Sequence, residues 1–138
     1  MTLTPVEQDE LLGEITKTLI DAAPASWQRL IFDFKVIGRQ ASPGFAARLA
    51  DGSTQQISTP KDVSKPLSKL RKGMYAEGLG TWFSVGLVID PPATYRAEFN
   101  RDAEPTFPAP TAAEQYTLEQ ERFPRTDENL PDWFRSKL

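Results

Sequence analysis

The carboxylates Asp102, Glu104, Asp127, Glu128 and Asp132 form an acidic concentration in the C-terminal part of the sequence. Two carboxylates held close together can bind a divalent cation or hydrolyse a glycosidic bond. The spacing here matches no ion-binding loop, and Glu104 stands beside Pro105 in a stretch with the composition of a loop. The group therefore reads as a solvated or partner-facing acidic surface. Histidine and cysteine are absent from all 138 residues. Their absence excludes a Cys/His zinc site, a thiol nucleophile, a disulfide framework and every scheme with histidine as the base. Ser84 consequently has no histidine to activate it. Gly78-Leu79-Gly80 has neither a following helix nor the lysine and serine of a phosphate loop, and reads as the end of a helix. Lys61, Lys65, Lys69, Arg71 and Lys72 could meet phosphate. No aromatic residues are interleaved with them as in single-strand binders, so they read as a solvated helix face.

A chain of 15.4 kDa, 39% hydrophobic and 25% charged, is large enough for one core and too small for two. The net charge of -3 and the pI near 5.0 argue against nucleic-acid binding driven by the phosphate backbone. Charge is unevenly spread: residues 90–138 hold six basic and ten acidic side chains, which makes the C-terminal third the acidic part. The apolar runs are too short to span a bilayer. The polar, acidic stretch from Met1 to Asp9 is unlike a secretory leader, so the expected location is the cytoplasm.

The elements that must position these residues follow from periodicity. Thr4-Pro5-Val6-Glu7 is a capping box with proline in the first turn. Leu12, Ile15 and Leu19 then recur on one face, which predicts a helix over about 5–22. From Trp27 to Ile37 the period changes to two, with Leu30, Phe32, Phe34 and Val36 on one side. A turn is expected at Ala41-Ser42-Pro43-Gly44, a strand through Phe45, Ala47 and Leu49, a type I′ turn at Asp51-Gly52, and a return strand over 53–58. Thr59 offers a second helix cap, and Val63, Leu67, Leu70 and Met74 form an apolar stripe behind it. Pro66 sets the regular helix to begin near Ser64 or makes its first turn irregular.

Thr81 to Asp90 is the strongest strand pattern. Trp82, Ser84, Gly86 and Val88 share one side, and Phe83, Val85, Leu87 and Ile89 share the other. Pro91-Pro92 turns the chain into a strand over 94–100 with Tyr95, Ala97 and Phe99 inward. A proline-bearing loop follows to Pro110. Thr111 and Glu114 then suggest a third capped helix, stopped by Phe123-Pro124-Arg125, and Leu130-Pro131-Asp132-Trp133-Phe134 ends in a short helix or turn. The expected architecture is a single α+β domain spanning 1–138. Its mainly antiparallel sheet of about five strands packs with an N-terminal helix, a middle helix and short C-terminal helices. Trp27, Trp82 and Trp133 are expected to pack in its core.

The order of motifs in the C-terminal half resembles the YezG-like family of bacterial antitoxin, or immunity, proteins. The carrying residues are Arg-Ala-Glu-Phe-Asn-Arg-Asp-Ala-Glu-Pro-Thr-Phe from Arg96 to Phe107, then Tyr116 and Glu119. Phe123-Pro124-Arg125 and Leu130-Pro131-Asp132-Trp133-Phe134 complete the series. The N-terminal helix, the strand opening at Trp27 and Trp82 after a glycine-containing turn extend the likeness over most of the chain. Arg101 stands where a second aromatic residue is usual, and Pro91-Pro92 replaces a glycine-containing turn.

The resemblance implies a non-enzymatic cytoplasmic protein, without cofactor or metal, that neutralises a cognate polymorphic toxin. Such toxins are commonly nucleases. Nuclease active sites are basic because they hold phosphate, so an acidic partner can occupy the same field. Asp102, Glu104, Asp127, Glu128 and Asp132 are then the expected partner-binding charges, with Trp133 and Phe134 as apolar anchors. No direct contact with nucleic acid or membrane is expected. The alternatives are a carboxylate-dependent hydrolase and a regulatory protein-binding domain with an unrelated partner.

Overall fold

The computed structural model describes residues 2–138. Helix α1 (Pro5–Asp21) opens on the expected box: Glu7 donates its N–H to the Thr4 hydroxyl at 3.2 Å, and Thr4 donates its N–H to the Glu7 carboxylate at 2.9 Å. Both amides would otherwise lack a partner, because the first turn of a helix has no preceding carbonyls. Strands β1 (Trp27–Ile37), β2 (Gln40–Leu49) and β3 (Thr54–Gln56) follow, then helix α2 (Ser64–Gly73). Strands β4 (Ser84–Asp90) and β5 (Thr94–Asn100) precede helix α3 (Ala113–Arg122) and the short helix α4 (Asp132–Arg135). The strands form one antiparallel sheet in the order β3-β2-β1-β4-β5. The protein is a single α+β domain.

Helices α1 and α2 cover one face of this sheet. Leu12, Ile15 and Leu19 of α1 and Leu67 and Leu70 of α2 bury against Leu30, Phe32, Phe45, Val85, Leu87 and Ile89. Phe32 and Phe45 are register partners whose rings meet edge to face with centroids 6.2 Å apart. On the opposite face Ile31, Asp33, Lys35, Gly86, Val88 and Glu98 all retain solvent access. Period-two alternation has thus produced a sheet packed on one side and open on the other.

Several boundaries differ from expectation, each for a local reason. The β1–β2 hairpin turns at Gly38 and Arg39, and Ala41 to Gly44 lie inside β2, paired with Val36 to Asp33. Gly38 has a φ of 58°, and a Cβ there would stand 2.6 Å from the Gln115 carbonyl oxygen, so only glycine fits. Pro43 is tolerated because β3 pairs only with Ala46 to Arg48, which leaves Pro43 with no second neighbour to bond. At Asp51-Gly52 only Gly52 has a positive φ, so the turn is not type I′. The Asp51 carboxylate accepts bonds from the Ser53 amide and hydroxyl instead, and the return strand shrinks to Thr54–Gln56.

Neither Thr59 nor Thr111 caps a helix. A 3-10 turn at Lys61–Val63 leads into α2, and Ala112 precedes α3 with no side-chain bond. Pro66 falls in the first turn of α2, where its missing N–H leaves nothing unsatisfied. The α2 helix ends at Gly73, and Gly78 and Gly80 belong to the loop beyond it, both with a φ of 79°.

The strongest strand pattern begins three residues late, at Ser84. Asn100 is the register partner of Ser84, yet Phe83 also donates its N–H to the Asn100 carbonyl at 2.7 Å. Two residues facing one break the alternation. Trp82 therefore joins Val85 and Leu87 in the main core, and Phe83 enters a second cluster. Both side chains are fully buried, but in different clusters, and both residues precede β4 where the expectation put them within a central strand. Trp82 is fully buried as expected, whereas Trp27 and Trp133 are only partly so.

Three surface carboxylates have pKa values held below the ordinary range. The Arg29 hydrogen bond lowers Asp90, the Thr4 amide and hydroxyl lower Glu7, and the Ser53 hydroxyl and amide lower Asp51. A carboxylate lowered on folding contributes stability above its unfolded pKa and loses it as pH falls through the folded value. The melting temperature should therefore decline as pH drops below about 4. Asp90→Asn should be less stable than the parent near neutrality, and the two melting curves should converge in acid. A constant gap at every pH would contradict this.

Candidate functional site

The acidic C-terminal third is bolted to one end of the sheet by two arginines. Ile37, Phe83, Tyr116, Leu130 and Phe134 form a second small core there, with Phe107 and Trp133 against it. Arg125 lies within it. Its Nη2 donates to the carbonyls of Thr81 at 2.9 Å and Arg101 at 2.8 Å, and its Nη1 to that of Asn129 at 3.2 Å. The guanidinium carbon stands 4.7 Å from the Phe83 ring centroid. Gly80 makes room for this side chain: a Cβ there would stand 2.2 Å from Arg125 Nε.

Arg71, expected on the solvated face of its helix, is instead buried. It donates from Nε to the Trp82 carbonyl at 2.9 Å and from Nη2 to the Glu119 carboxylate. The other Glu119 oxygen accepts the Gly38 N–H at 2.9 Å, and Gln115, one turn earlier on α3, accepts the Arg39 N–H at 2.7 Å. One face of α3 thus closes the β1–β2 turn and anchors α2 together. Burial lowers the pKa of Arg71, opposed by the charge and hydrogen bond of Glu119. Burial likewise lowers Arg125, opposed by the charges of Asp102 and Glu119. Both arginines tie elements of the fold together, and neither the helical stripe nor the Phe-Pro-Arg stop marked them as buried.

The five candidate carboxylates are all exposed. Three contacts, made by Trp133 and Arg135, hold three of them in place. Trp133 donates its indole N–H to the Asp102 carbonyl at 2.7 Å. Arg135 pairs with the Asp132 carboxylate at 3.1 Å and donates to the Asp127 carbonyl. Glu104 and Glu128 take no side-chain hydrogen bond or ion pair among the described residues. The two aromatic candidates separate. Phe134 is 1% exposed and packs against Phe83 and Tyr116, so as an expected anchor it is corrected to a core residue. Trp133 lies edge to face on Phe83 with centroids 5.1 Å apart and keeps part of its surface exposed.

The open sheet face continues directly into this acidic end. Two shallow depressions of about 430 and 400 Å³ adjoin across β1, β4 and β5 and share Asp33, Gly86 and Glu98. Ile31 and Val88 lie at the first end, and Arg101 and Asp102 at the second. Gly86 is the floor: a Cβ there would meet nothing within 4 Å. Gly44 makes room on the other side of Asp33, whose Oδ1 would stand 2.5 Å from a Cβ on Gly44. The trough has apolar contacts at one end, and its lining sets the carboxylates of Asp33, Glu98 and Asp102 among the cations of Lys35, Arg96 and Arg101, so it suits an extended or looped partner segment carrying charges of both signs. Its signal in the sequence was Gly86 within an apolar strand pattern, a mark of close approach by another backbone or ligand.

Among the described residues no three acidic side chains converge as a metal site would require. No helix among them is long and apolar enough to cross a membrane. Compared with models of known protein families and with curated protein sequences, the chain matches none.

Proposed function

We propose that this chain is a non-enzymatic immunity protein that binds a toxin domain made by the same cell and covers its substrate-binding surface. The observation that carries the reading is the one-sided sheet. Its helices bury one face, and the free face is a trough that ends at Arg101 and Asp102. Surface of this kind, with Ile31 38% exposed beside Val88, serves a protein partner better than a small reacting molecule. The resemblance to YezG-like proteins supplies the kind of partner, a nuclease whose basic active site complements the acidic end. Residence in the cytoplasm, where such a toxin threatens its producer, belongs to the same reading.

The test is protection of growth. The chain is co-expressed with C-terminal toxin domains of secreted proteins from the same genome, and colony counts identify the domain it neutralises. Association with that purified domain is then followed by stopped flow. Replacing Asp102, Glu104, Asp127 and Glu128 with the corresponding amides should slow association about tenfold at low salt and flatten its salt dependence, with the melting temperature unchanged. An unchanged rate would remove these carboxylates from the interface, and failure to protect against any such domain would remove the function.

A further inference from the structure

A cleft of about 230 Å³ lies on the helix-covered side, between α2, the end of β1 and the last turn of α3. It is separate from the trough. Phe34, Leu67 and Phe123 supply apolar walls, and Arg71, Lys72 and Arg122 supply three cations, while no carboxylate lines it. The nearest negative charge is already committed, because one Glu119 oxygen accepts Arg71 and the other accepts Gly38. Arg71 is 6% exposed and held rigidly by the Trp82 carbonyl, Glu119 and the Phe123 ring, whose centroid is 4.9 Å from its guanidinium carbon. Its remaining nitrogen, Nη1, donates to no group among the described residues, and neither Lys72 nor Arg122 is engaged in an ion pair there. Positive charge with unspent donors at the mouth of a mostly apolar cleft is the arrangement that receives an anion with an apolar body.

We propose that this cleft is a binding site for a small organic carboxylate carrying a ring or short chain. Arg122 and the free edge of Arg71 hold the carboxylate, and Phe34, Leu67 and Phe123 hold the apolar part. The volume equals that of roughly eight waters, which admits one ring and a short linker but no nucleotide. A planar guanidinium favours a carboxylate, which it can grip with two parallel bonds. The same chemistry is offered by a free acid and by the C-terminal residue of a peptide.

The probe is 3-phenylpropionate, titrated into the intact protein and followed by backbone amide shifts. A ligand this small should bind with a Kd on the order of 1–10 mM. The shifts should be saturable and centred on Ser68, Arg71 and Phe123. The neutral amide of the same acid should bind about tenfold more weakly, and Arg122→Gln should weaken the acid about fivefold. Ser68→Phe, an exposed position on the cleft wall, should abolish the shifts while the protein stays folded. A peptide ending in phenylalanine with a free carboxylate is the second arm. Tighter binding than the free acid would assign the site to a chain terminus, and weaker binding to a small acid. Equal binding of acid and neutral amide would overturn the proposal, as would shifts elsewhere that survive Ser68→Phe, or no saturable shift at all.

Discussion

Glu119→Ala is expected to destabilise the protein by about 3–5 kcal/mol, because it strands a buried guanidinium without its counter-charge. Arg71 and Glu119 have side chains 7% and 3% exposed, so water cannot replace the lost partner. The Gly38 amide would be orphaned in the same step, since it donates to the other carboxylate oxygen. Arg71→Met alone should cost a similar amount for the mirror reason. Replacing both residues with methionine should cost less than either single change, because desolvating two charges offsets much of their attraction and apolar side chains of similar volume need no partner. Urea unfolding of the four proteins measures this directly. A double variant as unstable as the summed singles would show no coupling between the two side chains, and would contradict the reading that each single change strands its partner.

Trp82→Ala should also cost about 3–5 kcal/mol, here through lost transfer energy and an unfilled cavity. Its indole is fully buried and packs against Phe34 and Phe99, with ring centroids 6.3 and 5.8 Å away, in a core too densely packed to close over the loss. One detail separates it from an ordinary core tryptophan. Its indole N–H has no acceptor among the described residues. Trp82→Phe removes an unsatisfied donor together with some volume, and the two effects oppose each other. That variant should lose less than about 1.5 kcal/mol. A loss for Trp82→Phe close to that of Trp82→Ala would show that the indole N–H is satisfied after all.

The order of elements was legible because residues 5–20 and 29–36 show clean periods of 3.6 and two, and burial against one sheet rewards both patterns. Turns were less legible. Pro43-Gly44 has the composition of a turn, but the chain reverses at Gly38, where α3 presses on the backbone from far along the sequence. Periodicity carries no information about such a neighbour. The same limit explains Arg71. Its position on the helix looked solvent-facing until α3, about fifty residues later, brought Glu119 over it. The alternation at Trp82 and Phe83 failed because the extra residue opposite Asn100 is a property of pairing, not of composition.

The candidate surface divides in a similar way. Charge alone marked Asp102, Glu104, Asp127, Glu128 and Asp132 as exposed, since carboxylates without a buried partner stay in water. Phe134 was misplaced because a short terminal helix has too few residues to show which side is buried, and Phe83 and Tyr116 decide it from elsewhere. The trough could not be read at all from the C-terminal motif. It is formed by β1, β4 and β5 together, and the only local mark of it is the absent side chain at Gly86.

That residue offers the most direct test of the account. Gly86 is in an interior strand, has an ordinary backbone conformation, and has open space where a side chain would go. Gly86→Tyr should therefore keep or raise the melting temperature, because an aromatic residue suits a strand better than glycine does. It also fills the trough. The measurement is the Kd between this variant and the toxin domain that the parent neutralises, taken beside Gly86→Ala as a small-volume control. The account predicts binding weakened about a hundredfold or more by tyrosine and far less by alanine, in a protein that remains folded. A Gly86→Tyr protein that binds the toxin as tightly as the parent would contradict the assignment of the open sheet face as the binding surface.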